Sequence, residues 1–236
     1  MTNQLHSYPS TDAMQQALAD VIEHHIRLNL AKKGNAFLSL AGGSALAIYR
    51  KLSQAELDWS QVTIVPTDER WVSTSHAACN LAALKSAFAA RNAIQWLPLA
   101  PDWPLLENAP KPSAHIAIKA MAAMPMPFDV VLLGMGLDAH TASLFPGASQ
   151  LSAALAPDGI TSAVAITPNP LPKEAPFARI SLTASRLLHS DMILLAITGE
   201  AKREVLNRAL LRDDEALPIS RFLHAANANV EIYWNA

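Results

Sequence analysis

Cysteine is almost missing from this chain: its 236 residues include one, Cys79. A disulfide framework within the chain and a Cys-rich zinc site are therefore excluded. Blocks of one charge sign are missing too. No Lys/Arg run exceeds two residues and the formal net charge is −2, so neither nucleic acid nor a membrane surface is an expected partner. Any anion must be held by a local cluster. Long apolar runs are absent: none approaches the roughly 18 residues needed to cross a bilayer. The segment 1–10 lacks the apolar core of a signal peptide. These absences point to a cytoplasmic chain in a reducing compartment, with no obligate protein partner evident. What is present is apolar: 51% of residues are hydrophobic against 16% charged, ample for a buried core in a single domain spanning 1–236.

Short apolar runs alternate with helical patterns. Thr11 to Lys33 carries an amphipathic stripe (Met14, Ala17, Leu18, Val21, Ile22) and stops at Gly34. Strands are expected at Ala36–Leu40, Val62–Val65, Asp129–Leu133, Thr161–Thr167, Ala178–Leu182, Met192–Ile197 and Val230–Tyr233. Helices are expected at Ala45–Leu52, Asn80–Ala90, Lys111–Met124 (closed by Pro125 and Pro127) and Ala201–Arg212. Residues 98–112 and the Pro-rich 168–176 read as irregular. Non-alternating apolar strands between helices predict an α/β fold, a mostly parallel sheet flanked by helices. In such sheets ligands bind outside the carboxyl ends of the strands. Four runs end there in loops with Gly or charge: 41–44, 68–70, 134–140 and 199–202.

Each loop has a chemical and a plain reading. Gly42-Gly43-Ser44 lies between strand and helix, where free N–H groups suit a phosphate or sugar oxygen; the plain alternative is a tight turn with Ser44 as N-cap. A nucleophile elbow is excluded, because Leu46 stands where G-x-S-x-G needs its second glycine. Arg70, in Asp68-Glu69-Arg70, can fork onto a phosphate, with Asp68 and Glu69 to orient it or bind hydroxyls. The alternative is a solvated charged loop. Gly134-Met135-Gly136 mimics a dinucleotide fingerprint, but Pro146-Gly147 breaks the chain before a full helix. Asp138 and His140 are better read as a carboxylate-oriented general base, against a purely structural pair. No third or fourth ligand at a familiar spacing supports a metal. Lys202 at a helix start is unfavourable by roughly 0.3–1 kcal/mol, which an anionic ligand would explain; a surface lysine is the alternative. His76, four residues before Asn80, is a candidate contact for a substrate hydroxyl.

Together the motifs resemble the 6-phosphogluconolactonase family. That family shows S-G-G-S-T-P, D-E-R-x-V-x-x-x-H-x-x-S-N, G-M-G-x-D-G-H-T-A-S-L-F-P-G, R-I-T-L and G-x-x-K. This chain reads A-G-G-S-A-L at 41–46, D-E-R-W-V-S-T-S-H-A-A-C-N at 68–80, G-M-G-L-D-A-H-T-A-S-L-F-P-G at 134–147, R-I-S-L-T at 179–183 and G-E-A-K at 199–202. It departs at Ala41, Ala45-Leu46, Ser75 and Ala139. If the family glycine at 139 needs φ > 0, alanine there is strained. The resemblance implies a Rossmann-like fold and metal-free, cofactor-free hydrolysis of a small phosphorylated sugar lactone. His140 would take a proton from water and Asp138 would orient it. Arg70 and Lys202 would hold the phosphate with the Gly42-Gly43-Ser44 backbone. Asp68 would bind hydroxyls or assist at the reacting carbon, and Arg179 is a further candidate for phosphate or lactone oxygen.

Two alternatives differ in kind. A glucosamine-6-phosphate deaminase/isomerase would show D-E-Y and a Glu where this chain has Phe145. A non-catalytic sugar-phosphate sensor would carry a DNA-binding helix-turn-helix upstream, yet the stretch before Ala36 reads as one helix without basic enrichment.

Overall fold

The computed structural model describes residues 3–102, 111–124 and 127–236. In chain order its elements are β1 (Gln4–Tyr8), α1 (Thr11–Lys33), β2 (Ala36–Leu40), α2 (Leu46–Leu52), β3 (Val62–Pro66), β4 (Asp68–Arg70), α3 (Asn80–Ala87), β5 (Gln95–Trp96) and α4 (His115–Ala122). There follow β6 (Val130–Gly134), α5 (Leu151–Leu155), β7 (Ala163–Ile166), β8 (Arg179–Leu182), α6 (Ala184–Leu188), β9 (Ile193–Thr198), α7 (Glu200–Ala209), α8 (Ser220–Leu223) and β10 (Val230–Asn235). Two stretches read from sequence fall partly outside this description, at 103–110 and at Pro125.

Among the described residues seven strands form one sheet in the order β1-β10-β9-β6-β2-β3-β5, and every pairing in it is parallel. The apolar strands do not alternate because both faces of the sheet are covered. Along β6, Val131 and Leu133 enter one core with Phe128 and Phe222, while Val130 and Leu132 enter another with Leu18, Ile22 and Tyr49. The second core lies under α1. Ser10 caps that helix by accepting from Ala13 N, and Gly34 closes it at φ 78°, the left-handed stop that glycine permits.

The structure corrects several expectations. Gln4–Tyr8 is an edge strand paired with β10; its mixed composition hid it. Asp68–Arg70 is a strand rather than a loop, and it pairs antiparallel with β8, which pairs with β7. The 161–167 and 178–182 runs therefore build a second, three-stranded sheet rather than extending the first. This small sheet is fixed to the main one through Thr67, whose N–H donates to Leu40 O and whose carbonyl accepts from Leu182 N. Helix α4 begins at His115 rather than Lys111.

Chain direction sets the site. From β2 the chain moves outward to β3 and β5, whereas β6, β9 and β10 lie on the other side of β2. The switch point is the gap between the carboxyl ends of β2 and β6, where open α/β sheets bind their ligands.

Candidate active site

At that switch point lies a cleft of about 990 Å³, lined by Gly42, Gly43, Ser44, Asp68, Arg70, Asn80, Asp138, His140, Arg179 and Lys202 among others. Ten of the eleven site residues expected from sequence are thus brought together; His76 is not. Its Nδ1 accepts from Ala78 N and its ring meets Phe177 edge-on at 5.2 Å.

After β2 the chain turns at Gly42 and passes into a short 3-10 turn, Gly43–Ala45, with Gly43 at φ 67°. Ser44 is exposed and caps nothing: the cap position is Gly42, without a side-chain bond. Gly42 is needed for a different reason. A Cβ there would collide with the Asn80 amide, lying 2.7 Å from its Cγ.

Asn80 belongs to a network centred on β4. Glu69 turns inward and accepts from the backbone N–H groups of Asn80 (2.7 Å) and Leu81 (2.8 Å), capping α3. Burial pushes its carboxyl up, against those backbone donors, which pull it down. Cys79 donates to the same carboxylate at 3.4 Å; burial, with Glu69 beside it, pushes the thiol up to about 11, which removes it as a nucleophile. Asp68 is buried. It accepts from Ser143 Oγ at 2.5 Å and Thr67 Oγ1 at 3.1 Å, so it joins the small sheet to the loop that carries His140.

Arg70 and Arg179 are directly opposite one another on β4 and β8. Like charges so placed destabilise a sheet unless something compensates. Neither forms an ion pair among the described residues. Arg70 Nη1 donates to Ala78 O and Asn80 Oδ1. Arg179 is 3% exposed; burial, with Arg70 adding, pulls its guanidinium down to about 10, opposed by Asp68 and Glu69. Lys202, in the first turn of α7, is half-buried and drawn down by burial; it too has no ion-pair partner among the described residues. Arg70, Arg179, Lys202 and, from the 169–175 segment, Lys173 line one cleft with no ion pair among the described residues, a set that fits a dianionic ligand.

The loop after β6 presents the Asp138–His140 pair. Asp138 Oδ1 lies 2.5 Å from His140 Nδ1 and accepts the His140 backbone N–H at 3.2 Å. Burial tends to raise the Asp138 carboxyl, but the bonds to His140 outweigh it and hold it low. With Asp138 ionised, Nδ1 carries the proton of the neutral ring and Nε2 is left as the acceptor. Backbone bonds shape the loop: Gly136 N–H donates to His140 O, and Ile219 N–H to Ala139 O. Gly136 is required by close approach, because a Cβ there would collide with the His140 ring and lie 2.5 Å from Asp138 Oδ1. Its spacing resembles a dinucleotide fingerprint, yet no helix begins before Leu151.

Ala139 has φ 64° and is fully buried, which meets the condition for strain. Left-handed backbone costs alanine about 1–2 kcal/mol. Burying its methyl returns about 0.8 kcal/mol, and glycine would add unfolded-state entropy worth about 0.5–1 kcal/mol. Ala139→Gly is therefore expected to change stability by less than about 1 kcal/mol in thermal or denaturant unfolding. A gain above about 1 kcal/mol would show that the methyl is not well packed.

The residues that sequence reasoning missed are the wall 169–175, which contributes Asn169, Leu171, Lys173 and Glu174 to the cleft, and Ser143 and Phe145 after the histidine. Arg179 anchors the wall, donating to Ala175 O at 2.7 Å and Phe177 O at 2.6 Å. The only sequence signal was the cluster of prolines ahead of Arg179.

A family model described as glucosamine-6-phosphate isomerases/6-phosphogluconolactonase matches residues 9–234. The chain belongs to this family. It is 36% identical over 236 residues to a 6-phosphogluconolactonase of Rhizobium meliloti, covering 99% of each chain. The crystal structure of a 6-phosphogluconolactonase from Shewanella baltica superposes with a TM-score of 0.88 at 33% identity, covering 99% of this chain and 98% of that one. A monomeric glucosamine-6-phosphate deaminase shares the family fold, with a TM-score of 0.71 at 20% identity over 98% of this chain and 97% of that one. Among the described residues no helix is long and apolar enough to cross a membrane.

Proposed function

We propose that this chain hydrolyses 6-phospho-D-glucono-1,5-lactone to 6-phospho-D-gluconate, the second step of the oxidative pentose phosphate pathway, in the cytoplasm and without a cofactor. The observation that carries this reading is the joint placement of an Asp138-held His140 and the opposed Arg70–Arg179 pair in one cleft. The similarity to 6-phosphogluconolactonases over nearly the whole chain supports it.

In this account the phosphate binds Arg70 and Lys202, with the Gly42-Gly43-Ser44 backbone and Arg179 completing the anion site. His140 Nε2 takes a proton from water as the oxygen adds to the lactone carbonyl carbon. The resulting tetrahedral oxyanion collapses, the bond from that carbon to the ring oxygen breaks, and the imidazolium returns its proton to the departing oxygen. Asn80 holds the Arg70 guanidinium, and Asp68, tied to the His140 loop through Ser143, reaches sugar hydroxyls. A δ-lactone is an activated ester, so positioning, charge stabilisation and one base suffice.

Among the described residues no group of three or more His, Cys, Asp or Glu side chains is placed to hold a metal ion. Hydrolysis of the phosphorylated lactone is therefore expected to continue at an unchanged rate in excess EDTA. Loss of activity on chelation, restored by one divalent cation, would overturn the mechanism. The deaminase reading is disfavoured at Phe145, a phenyl group packed on His140, where proton relay needs a carboxylate.

A further inference from the structure

The Asp138 bond alone is a weak restraint on His140. The two side chains are 50% and 31% exposed, and water competes for a pair so placed. An imidazole held only there can rotate about its Cβ–Cγ bond and carry Nε2 away from the substrate.

Two other groups confine the ring. The Phe145 phenyl stacks on it, with centroids 4.2 Å apart and planes 26° from parallel. Phe145 itself is 9% exposed and belongs to the core that contains Leu144, Ala148 and Leu151, so it is a fixed surface rather than a mobile one. Gly136 closes the Nδ1–Cε1 edge: a single added methyl there would overlap both atoms. With Asp138 on Nδ1, the ring edge bearing Nε2 is the one these three groups leave uncovered.

We propose that Phe145 is a positioning residue which, with Gly136, forms a slot that fixes the orientation of the His140 imidazole. This rests on the reading of His140 as the base. The slot keeps Nε2 directed at the water, so its loss should appear in kcat and not in substrate affinity. It also explains why a core-like aromatic lines a cleft otherwise rich in polar and charged groups. The phenyl cannot exchange protons, and its contribution is geometric.

The test compares Phe145→Leu and Phe145→Tyr with the wild-type chain. Phe145→Leu should lower kcat about tenfold, the upper range for a stacked aromatic pair, with KM for the phosphorylated lactone unchanged. Phe145→Tyr, which restores a ring, should recover kcat to within about twofold, because the stack is retained. The ¹⁵N signals of the His140 ring provide a readout independent of turnover. Wild type should show one tautomer with the proton on Nδ1, and Phe145→Leu a mixture or exchange broadening. If the wild-type chain fails to hydrolyse the lactone but the tautomer change is seen, the slot stands and the activity is wrong. If the lactone is hydrolysed and Phe145→Leu alters neither kcat nor the tautomer, the slot is refuted. Equal loss of kcat and of affinity for 6-phosphogluconate in Phe145→Leu would also refute it, since that is the mark of general disruption.

Discussion

Replacing His140 by glutamine is expected to lower kcat by about 10²–10⁴, the range supplied by a positioned general base, while KM changes little. Glutamine keeps the size and polarity of the side chain and removes the basic nitrogen. The reason to expect so large an effect is geometric. Asp138 occupies Nδ1 and holds the carboxylate charge in place, so Nε2 is the nitrogen left to accept a proton. Asp68 cannot readily substitute, because its oxygens already accept from Ser143 and Thr67. Every rate needs correction for spontaneous lactone hydrolysis. A His140→Gln chain that keeps more than about a third of wild-type kcat, far outside the general-base range, would mean that another group activates water.

Loss of a phosphate-binding cation should give the second-largest effect, and in the other kinetic parameter. Arg70→Ala and Lys202→Ala are each expected to raise KM for the phosphorylated lactone roughly ten- to a hundred-fold, since a charged hydrogen bond contributes about 1.5–3 kcal/mol. The unphosphorylated lactone should be turned over with unchanged efficiency. Lys202 gives the cleaner test, because Arg70 also donates to Ala78 O and Asn80 Oδ1 and its removal loosens that wall. Arg70→Ala also relieves the repulsion of Arg179 across the strand pair, so affinity should suffer more than stability. An equal loss on both substrates would refute the phosphate assignment for the residue changed.

Much of this candidate site was legible in the sequence because Gly42–Ser44, Asp68–Arg70, Asp138–His140 and Lys202 lie at or just after the end of a strand, where short apolar runs and sudden Gly or charge mark the position. His140, Asp138, Arg70 and Lys202 were singled out on that basis together with the motif spacing, and the fold brings them to one cleft. What was not legible depends on contacts between segments distant in sequence. Nothing local in Pro168–Pro176 shows that Arg179 will draw this stretch to the cleft. Three charged residues, Asp68–Arg70, look like a loop until β8 is there to pair with them. The small β4-β8-β7 sheet was missed for the same reason. The dinucleotide spacing at Gly136 could be set aside from the sequence, but the actual constraint there, the close approach of His140 and Asp138, could not be read from it. His76 was a plausible contact on spacing alone, but its ring packs on Phe177 and it is not among the cleft-lining residues.

The most direct test of the whole account follows consumption of freshly made 6-phosphoglucono-δ-lactone by the purified chain, with ammonia release from glucosamine 6-phosphate measured in parallel. The account predicts lactone consumption proportional to the amount of protein and far above the spontaneous rate, with no ammonia released. Consumption indistinguishable from the spontaneous reaction, or ammonia from the amino sugar, would contradict it.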